Sequence, residues 1–370
     1  MQKYHTWLIV FSSILFSPCL KPTQVTQPFM GSGSINALPI LVIGGAMCDF
    51  FLELDPTHDS LSNPGFIQFE EGKKISLKQL QFHTGGGGLN AALALGALGH
   101  HVALYAQVGM DPSGEQIIQE LQNAHIQTDL IFFDQQHYTG TSFILPSKDG
   151  NNTILMNRGA SRHLIYQPDK VNESLPSPSG MYLAPLSGNS MACALDIVRH
   201  AHEKQTPILC NPSSAQIEDY SSFFSLLPFI TVLLLNEHEA EKLALYLNIP
   251  SKTMHDQIAL ARIVQTYGPS ICLITNGSRG ALCVHKDQVL FQDSFSITPQ
   301  KSVGAGDTFG STFFSALLHG FSIKQSLLLG ALHSASILSE KIPHHGLCSL
   351  DELIIRLNTT SNLPQCYEIN

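Results

Sequence analysis

Between Met181 and Lys286 short apolar runs alternate with amphipathic stretches, and this alternation leaves the chain few folds to choose from. In order they read "MYLAP", "CALDIVRHAHEK", "PILCNP", "ITVLLLN", "EHEAEKLALYL", "QIALARIVQTYG", "SICLITNG" and "GALCVHK". The apolar runs are short and unbroken, as strands covered on both faces are. Strands that alternate with helices imply βαβ units and a largely parallel, doubly wound sheet of the α/β class. The pattern begins upstream at Pro39, where "PILVIGGAMCDFFLELD" is a buried strand followed by glycines and Asp49. A carboxylate there stands where a parallel strand ends, which is where open α/β sheets gather their ligand sites. "GGGGLNAALALGALG" opens a helix, "HVALYAQVG" is the next strand, and "PSGEQIIQELQNAHI" is a helix entered at Pro112 and Ser113.

Two regions depart from the alternation. Residues 50–80 mix short alternating pieces with turn residues, as a small β excursion would, and "GTSFILPSKDGNNTILMNRGA" reads as two strands around "KDGNN". "NESLPSPSG" reads as a Pro/Ser loop rather than a domain boundary, so residues 39–370 are expected to form one domain behind an extension of residues 1–38. That extension carries an apolar stretch from Trp7 to Phe16, the length of a signal-peptide core and too short to span a bilayer. Its flanks fit a cleavage or lipidation site poorly, and Met30 offers a competing start; a cytoplasmic protein is the expectation, with export as the alternative.

Charge narrows the partners. The formal net charge is -9 and there is no run of Lys or Arg, so neither nucleic acid nor an anionic membrane is an expected partner. The eight cysteines contain no CxxC pair, and several lie inside strand-like runs; they read as reduced core residues. The seventeen histidines show no zinc-site spacing, and the adjacent pairs His100-His101 and His344-His345 do not share a helix face. The histidines are therefore read as scattered surface or core residues.

Glycine-rich turns carry the chemistry. "TGGGGLN" is a weak dinucleotide signal, because Asn90 stands where the last glycine of GxGxxG would be, and no GxxxxGK[ST] occurs. "VGAGDTF" is different. Gly304, Ala305 and Gly306 let backbone come close to a ligand, the free amides of the following helix start bind anions, and Asp307 brings a carboxylate to the same place. Phosphoryl transfer to an alcohol needs those parts: donors for the moving phosphoryl group and a base for the attacking hydroxyl. An ordinary helix entry capped by Asp307 remains the alternative on these residues alone.

"GGGGLNAALALGALG" together with "KSVGAGDTFGSTFFSALL" resembles the two signatures of the PfkB/ribokinase family of carbohydrate kinases, and "GMDPSGE", "NRGAS", "NEHE" and "TNGSRGA" stand between them in the family's order. The resemblance runs from about Pro39 to the C-terminus. It implies a three-layer, ribokinase-like sheet with a small β lid made by about residues 50–80 and 130–157, often the surface through which two subunits pair. It implies ATP with Mg2+ as cofactors and a sugar-like alcohol as acceptor. By similarity Gly304, Ala305 and Gly306 form the anion hole and Asp307 is the base. Asn236 and Glu239 resemble the element that organises magnesium through water, and Thr275, Gly277 and Gly280 the turn along the ATP phosphates. Glu239 also suits the first turn of a helix on dipole grounds. Asp49 resembles the carboxylate that takes two sugar hydroxyls, with Gly86, Gly87 and Asn90 approaching the same sugar.

One position departs from the family. Where potassium-dependent relatives carry an aspartate three residues before the anion hole, this chain has Lys301, whose ammonium would supply charge there and make K+ unnecessary. A free sugar is the expected acceptor and a nucleoside the alternative. A non-catalytic sugar- or nucleotide-binding relative is the reading from another class.

Overall fold

Strand β1, Pro39–Ile43, is apolar throughout because both of its faces are covered. Ile40 and Val42 enter one core while Leu41 and Ile43 enter the other. The computed structural model describes residues 36–55, 67–146, 152–299 and 304–369. The further strands are β2 Met47–Leu54, β3 Leu77–Gly85, β4 His101–Gly109, β5 Ile131–Asp134, β6 Gly140–Pro146, β7 Asn152–Asn157 and β8 Gly180–Leu183, followed by β9 Ile208–Cys210, β10 Val232–Asn236, β11 Ile271–Thr275, β12 Ala281–His285, β13 Gln288–Gln292 and β14 Cys366–Glu368. The helices are α1 Gly87–Ala97, α2 Pro112–Asn123, α3 Pro168–Ser174, α4 Ala194–Glu203, α5 Ser214–Glu218, α6 Tyr220–Leu226, α7 Glu237–Leu247 and α8 Met254–Gln265, then α9 Ala305–Leu318, α10 Ile323–Leu338 and α11 Leu350–Thr359.

Ten strands form the main sheet in the order β14-β13-β12-β11-β10-β9-β8-β1-β4-β5. From β5 to β11 all pairings are parallel, and β12, β13 and β14 close one edge antiparallel. The strand order reverses at β1, which pairs with β4 on one side and with β8 on the other. One layer of helices places Leu89, Ile117, Phe313, Leu327 and Leu353 in the first core. The opposite layer places Ile197, Phe223, Leu243 and Leu260 in the second, so the architecture is three layers deep. Switch points of this kind open a crevice beyond the carboxyl ends of the strands.

A second sheet of four strands, β3-β2-β6-β7, stands over that end. Its strands take up residues 47–54, 77–85, 140–146 and 152–157, a wider span of the first segment than the expected 50–80. Ile131–Asp134, which the expected lid included, pairs with β4 in the main sheet instead. Asn172–Ser174, read as loop, completes α3, which Pro168 opens at its first turn. The turn between β6 and β7, Lys301 and the N-terminal extension up to residue 35 lie outside the described residues. Among the described residues no helix is long and apolar enough to cross a membrane, and the seven described cysteines are all free thiols.

"GMDPSGE" is a junction in this fold. Asp111 caps α2 by accepting the Gly114 amide, and its carboxylate also accepts the amide and hydroxyl of Thr139. The main sheet is thereby pinned to the residue that precedes β6.

Candidate active site

The start of α9 is built as the sequence requires. Gly304 caps the helix at φ 82°, a left-handed conformation that costs glycine little. Its carbonyl takes the Thr308 amide at 3.0 Å, which leaves the amides of Ala305, Gly306 and Asp307 without intrahelical acceptors. Gly306 is exposed, and a Cβ placed on it would meet nothing within 4 Å. Open amides with the positive end of a helix behind them make a site for an anion.

Asp307 is held from two sides. Asn90 Nδ2 donates to its Oδ2 at 2.9 Å and Asn211 Nδ2 to its Oδ1 at 3.3 Å. Burial pushes this carboxyl up to about 6, and the two amide donors and the nearby His344 only partly offset that rise. The group is thus a carboxylate at neutral pH with a raised proton affinity, as a general base should be.

The residues expected on the acceptor side lie at the start of α1, where Asn90 and Gly87 reach Asp307, and on β2. Gly86 is left-handed at φ 94°, and a Cβ on it would come within 2.6 Å of the Gly45 carbonyl oxygen. A Cβ on Gly87 would lie 2.7 Å from Pro185 Cδ and 3.5 Å from Asp307 Oδ1, so only glycine lets the start of α1 sit against the carboxylate. Asp49, on β2, is 7% exposed and accepts a hydrogen bond from Ser142 of β6 at 2.5 Å. Burial raises its pKa, against the hydrogen bond from Ser142 and the charge of His344.

On the other side of the α9 start, a cavity of about 320 Å³ is lined by Thr275, Gly277, Gly280, Ala305, Gly306 and Phe309, among others. Gly277 and Gly280 adopt φ of 57° and 113°. At the latter a Cβ would meet the Gln292 carbonyl at 2.1 Å, so the turn after β11 is closed to other residues. Asn236 and Glu239 lie apart from this cavity's lining and form a reciprocal capping box at the start of α7, with N–H···O distances of 2.9 Å in both directions. The helix-entry role that the sequence offered for Glu239 is therefore present. Yet the group is 9% exposed, and burial, with the charge of Asp307 adding to it, pushes its pKa up to about 7.

Three contributors escaped the sequence reading. Asn211 directly follows β9 in "PILCNP", a strand-end position that could have marked it. Tyr182, fully buried in β8, lies beneath Asp307 and Asn211 with its hydroxyl proton held tightly, first by burial and then by the charge of Asp307. His344, read only as one of the scattered histidines, has its ring 3.1 Å from Asn90 Oδ1 and 3.1 Å from Glu120 Oε1, while among the described residues no cluster of histidine, cysteine or acid could hold a metal ion. It sits in a turn at φ 68°, where adjacent residues diverge and one of them can point inward.

Comparison with known proteins bears on the family and the fold. The family model described as pfkB family carbohydrate kinase matches residues 42–343. The chain is 27% identical to ribokinase of Haemophilus influenzae over 274 residues, covering 73% of this chain and 86% of that one. It is 25% identical to deoxyribokinase of Salmonella typhi over 270 residues, 72% of this chain and 85% of that one. Among solved structures, Arabidopsis thaliana ribokinase complexed with ribose and ATP superposes with a TM-score of 0.75 at 21% identity, over 88% of this chain and all of the other. A Burkholderia thailandensis nucleoside kinase in complex with inosine superposes with a TM-score of 0.70 at 15% identity, over 88% of this chain and 99% of the other. The two structural likenesses establish the fold.

Proposed function

The chain belongs to the pfkB family of carbohydrate kinases, and we propose that within it the enzyme transfers the γ-phosphate of ATP to a hydroxymethyl group of a free sugar. The observation that carries this reading is Asp307: a carboxylate raised to about 6, fixed by two amides, between the glycines of α1 and the free amides of α9. In this reading Asp49 and Asn90 bind the acceptor's hydroxyls, and Gly86 and Gly87 leave room for it. Asp307 takes the proton as the hydroxyl oxygen bonds to the γ-phosphorus, and the bond from that phosphorus to the bridging oxygen of ADP breaks. The amides of Ala305, Gly306 and Asp307 stabilise the charge on the phosphoryl group in flight. Thr275, Gly277 and Gly280 border the cavity suited to the nucleotide.

The donor set fits magnesium. Glu239 is a buried carboxylate whose ionisation burial and Asp307 oppose, and a hard cation relieves that opposition through oxygen ligands. Glu239 would hold the ion through water, with Asn236 beside it. Bound magnesium would neutralise phosphate charge. Lys301 makes K+ dispensable in this reading.

Free sugars are favoured by the names of the relatives, ribokinase and deoxyribokinase, and by an acceptor side built on an acid and an amide. The inosine-bound neighbour keeps a nucleoside as the second reading. The small sheet would act as a lid that excludes water from the reaction. On one of its faces Phe82, Phe50, Phe143 and Leu155 stand in a single cross-strand row, with Phe143 and Leu155 43% and 56% exposed. We assign this row to a homodimer contact, which light scattering of the purified protein checks; a monomer at micromolar concentration refutes it.

The test of the function is ATP consumption with magnesium across free sugars, sugar acids and nucleosides, beside the Asp307→Asn protein. Turnover with one acceptor, lost in the variant, is expected. Silence without nucleotide binding would overturn the reading of the α9 turn, and silence with nucleotide binding would favour a non-catalytic relative.

A further inference from the structure

We infer that His344, clamped by Glu120, is a positioning residue for the transfer: as an imidazolium it fixes the amide of Asn90 and, through it, the carboxylate of Asp307. The inference rests on the reading of Asp307 as the base. It follows from donor and acceptor geometry across four elements that are distant in sequence. Asn90 Nδ2 donates to Asp307 Oδ2 at 2.9 Å, so the amide oxygen is the atom that faces the histidine. His344 Nε2 lies 3.1 Å from that oxygen and must donate to it. Its Nδ1 lies 3.1 Å from Glu120 Oε1, a second acceptor. The Thr84 hydroxyl donates to the other carboxylate oxygen, Oε2. Burial opposes the ionisation of Glu120, but the hydrogen bonds from His344 and Thr84 outweigh it and hold the carboxyl below its ordinary value. Both ring nitrogens of His344 therefore serve acceptors, which only the doubly protonated ring can do.

Loss of either ring proton breaks the chain. With Nε2 bare, two acceptors face each other at 3.1 Å. If Asn90 turns its amide to repair that contact, its oxygen meets the Asp307 carboxylate at 2.9 Å instead. The Glu120 carboxylate holds the remaining proton on Nδ1, so the neutral ring leaves Nε2 bare; no orientation of Asn90 then satisfies both neighbours, and the base loses one of its two amide donors. The charged and titratable groups facing the ring are Glu120 from α2, Asp49 from β2 and Asp307 from α9, with His83 of β3 acting on Glu120. All three that face it directly are acids.

The consequence is a second limb in the pH–rate profile. With the acceptor found above and saturating MgATP, kcat of the full chain should rise through the Asp307 limb and fall on the alkaline side. His344→Gln should lower kcat about tenfold, the worth of one charge-assisted hydrogen bond, and abolish the alkaline fall. KM for ATP should stay within twofold. Glu120→Gln should move the fall to lower pH, and His345→Gln, an exposed neighbour, should leave the profile unchanged. Should His344→Gln fail to fold, Glu120→Gln and the ring ¹⁵N shifts of His344 in labelled wild-type protein decide the question. An alkaline fall that stays in place in His344→Gln or Glu120→Gln, or a singly protonated ring at pH 7, overturns the inference. Full turnover in Asp307→Asn would instead defeat the underlying assignment of the base.

Discussion

Replacing Asp307 by asparagine should abolish transfer and, at alkaline pH, make the protein more stable. The carboxyl is raised from its ordinary 3.8 to about 6, chiefly by burial. A carboxyl that holds its proton more tightly when folded loses stability as pH rises. Below about 4 both states are protonated; between about 4 and 6 only the unfolded chain ionises, and above 6 the whole penalty is present. A rise of about two pH units at ~1.4 kcal/mol each amounts to about 3 kcal/mol of destabilisation above pH 6. Asparagine carries no charge and escapes this, but its own amino group faces Asn211 or Asn90, which forfeits one hydrogen bond of about 1 kcal/mol. The net expectation is a variant about 2 kcal/mol more stable at pH 8 and about as stable as the wild type at pH 4.5, where about 1 kcal/mol of the penalty is already present and offsets the lost hydrogen bond. Urea unfolding of both proteins at the two pH values measures the difference, in which other titrating groups cancel. The activity of the variant should fall by about 10²–10⁴, the usual loss of a general base. A stability difference that does not change between pH 4.5 and 8 would refute the argument that burial of a charge, rather than packing, sets the cost of this residue.

Three further outcomes are expected. Gly87→Ala places a methyl 2.7 Å from Pro185 Cδ and beside Asp307; overpacking of ~1–3 kcal/mol should raise KM for the acceptor about tenfold or more, with KM for ATP unchanged. Equal rises in both would show that the glycine serves the whole fold rather than the acceptor side. Glu239, pushed up to about 7, gains its charge as pH rises from 6 to 8, so the wild-type enzyme should need several-fold less magnesium for half-maximal rate at pH 8 than at pH 6. Glu239→Gln should narrow that difference, and an unaltered difference would remove Glu239 from the metal's surroundings. Exchange of sodium for potassium at constant ionic strength should leave the rate unchanged; a large rise with potassium would defeat the role given to Lys301.

What was legible in the sequence and what was not divide along a physical line. Buried parallel strands declare themselves because both faces must be apolar, so β1, β8, β10 and β11 were plain. Glycines that admit backbone approach are equally local, and Gly86, Gly87, Gly304 and Gly280 each have a contact or a conformation that forbids a side chain. β13 and β14 were missed. They close an antiparallel edge, and β14 is only three residues long, too short for a pattern to show. Two of the side chains around Asp307 were hidden for a different reason. Asn90 was legible at the start of α1, but Asn211 and His344 come from the end of β9 and the turn before α11, and only the folded sheet brings Asn211 to the carboxylate and His344 to Asn90. A motif records the residue whose backbone surroundings are special, whereas the partners that tune it need only arrive with the right donor, and any loop of the crevice can supply one. Asp49, Asp307 and Glu239 are all pushed toward neutrality by burial, and few cations reach them from the described chain. Acids short of counter-charge at the carboxyl ends of the strands are a cost to folding, and they make sense where the ligands bring hydroxyl protons and a metal.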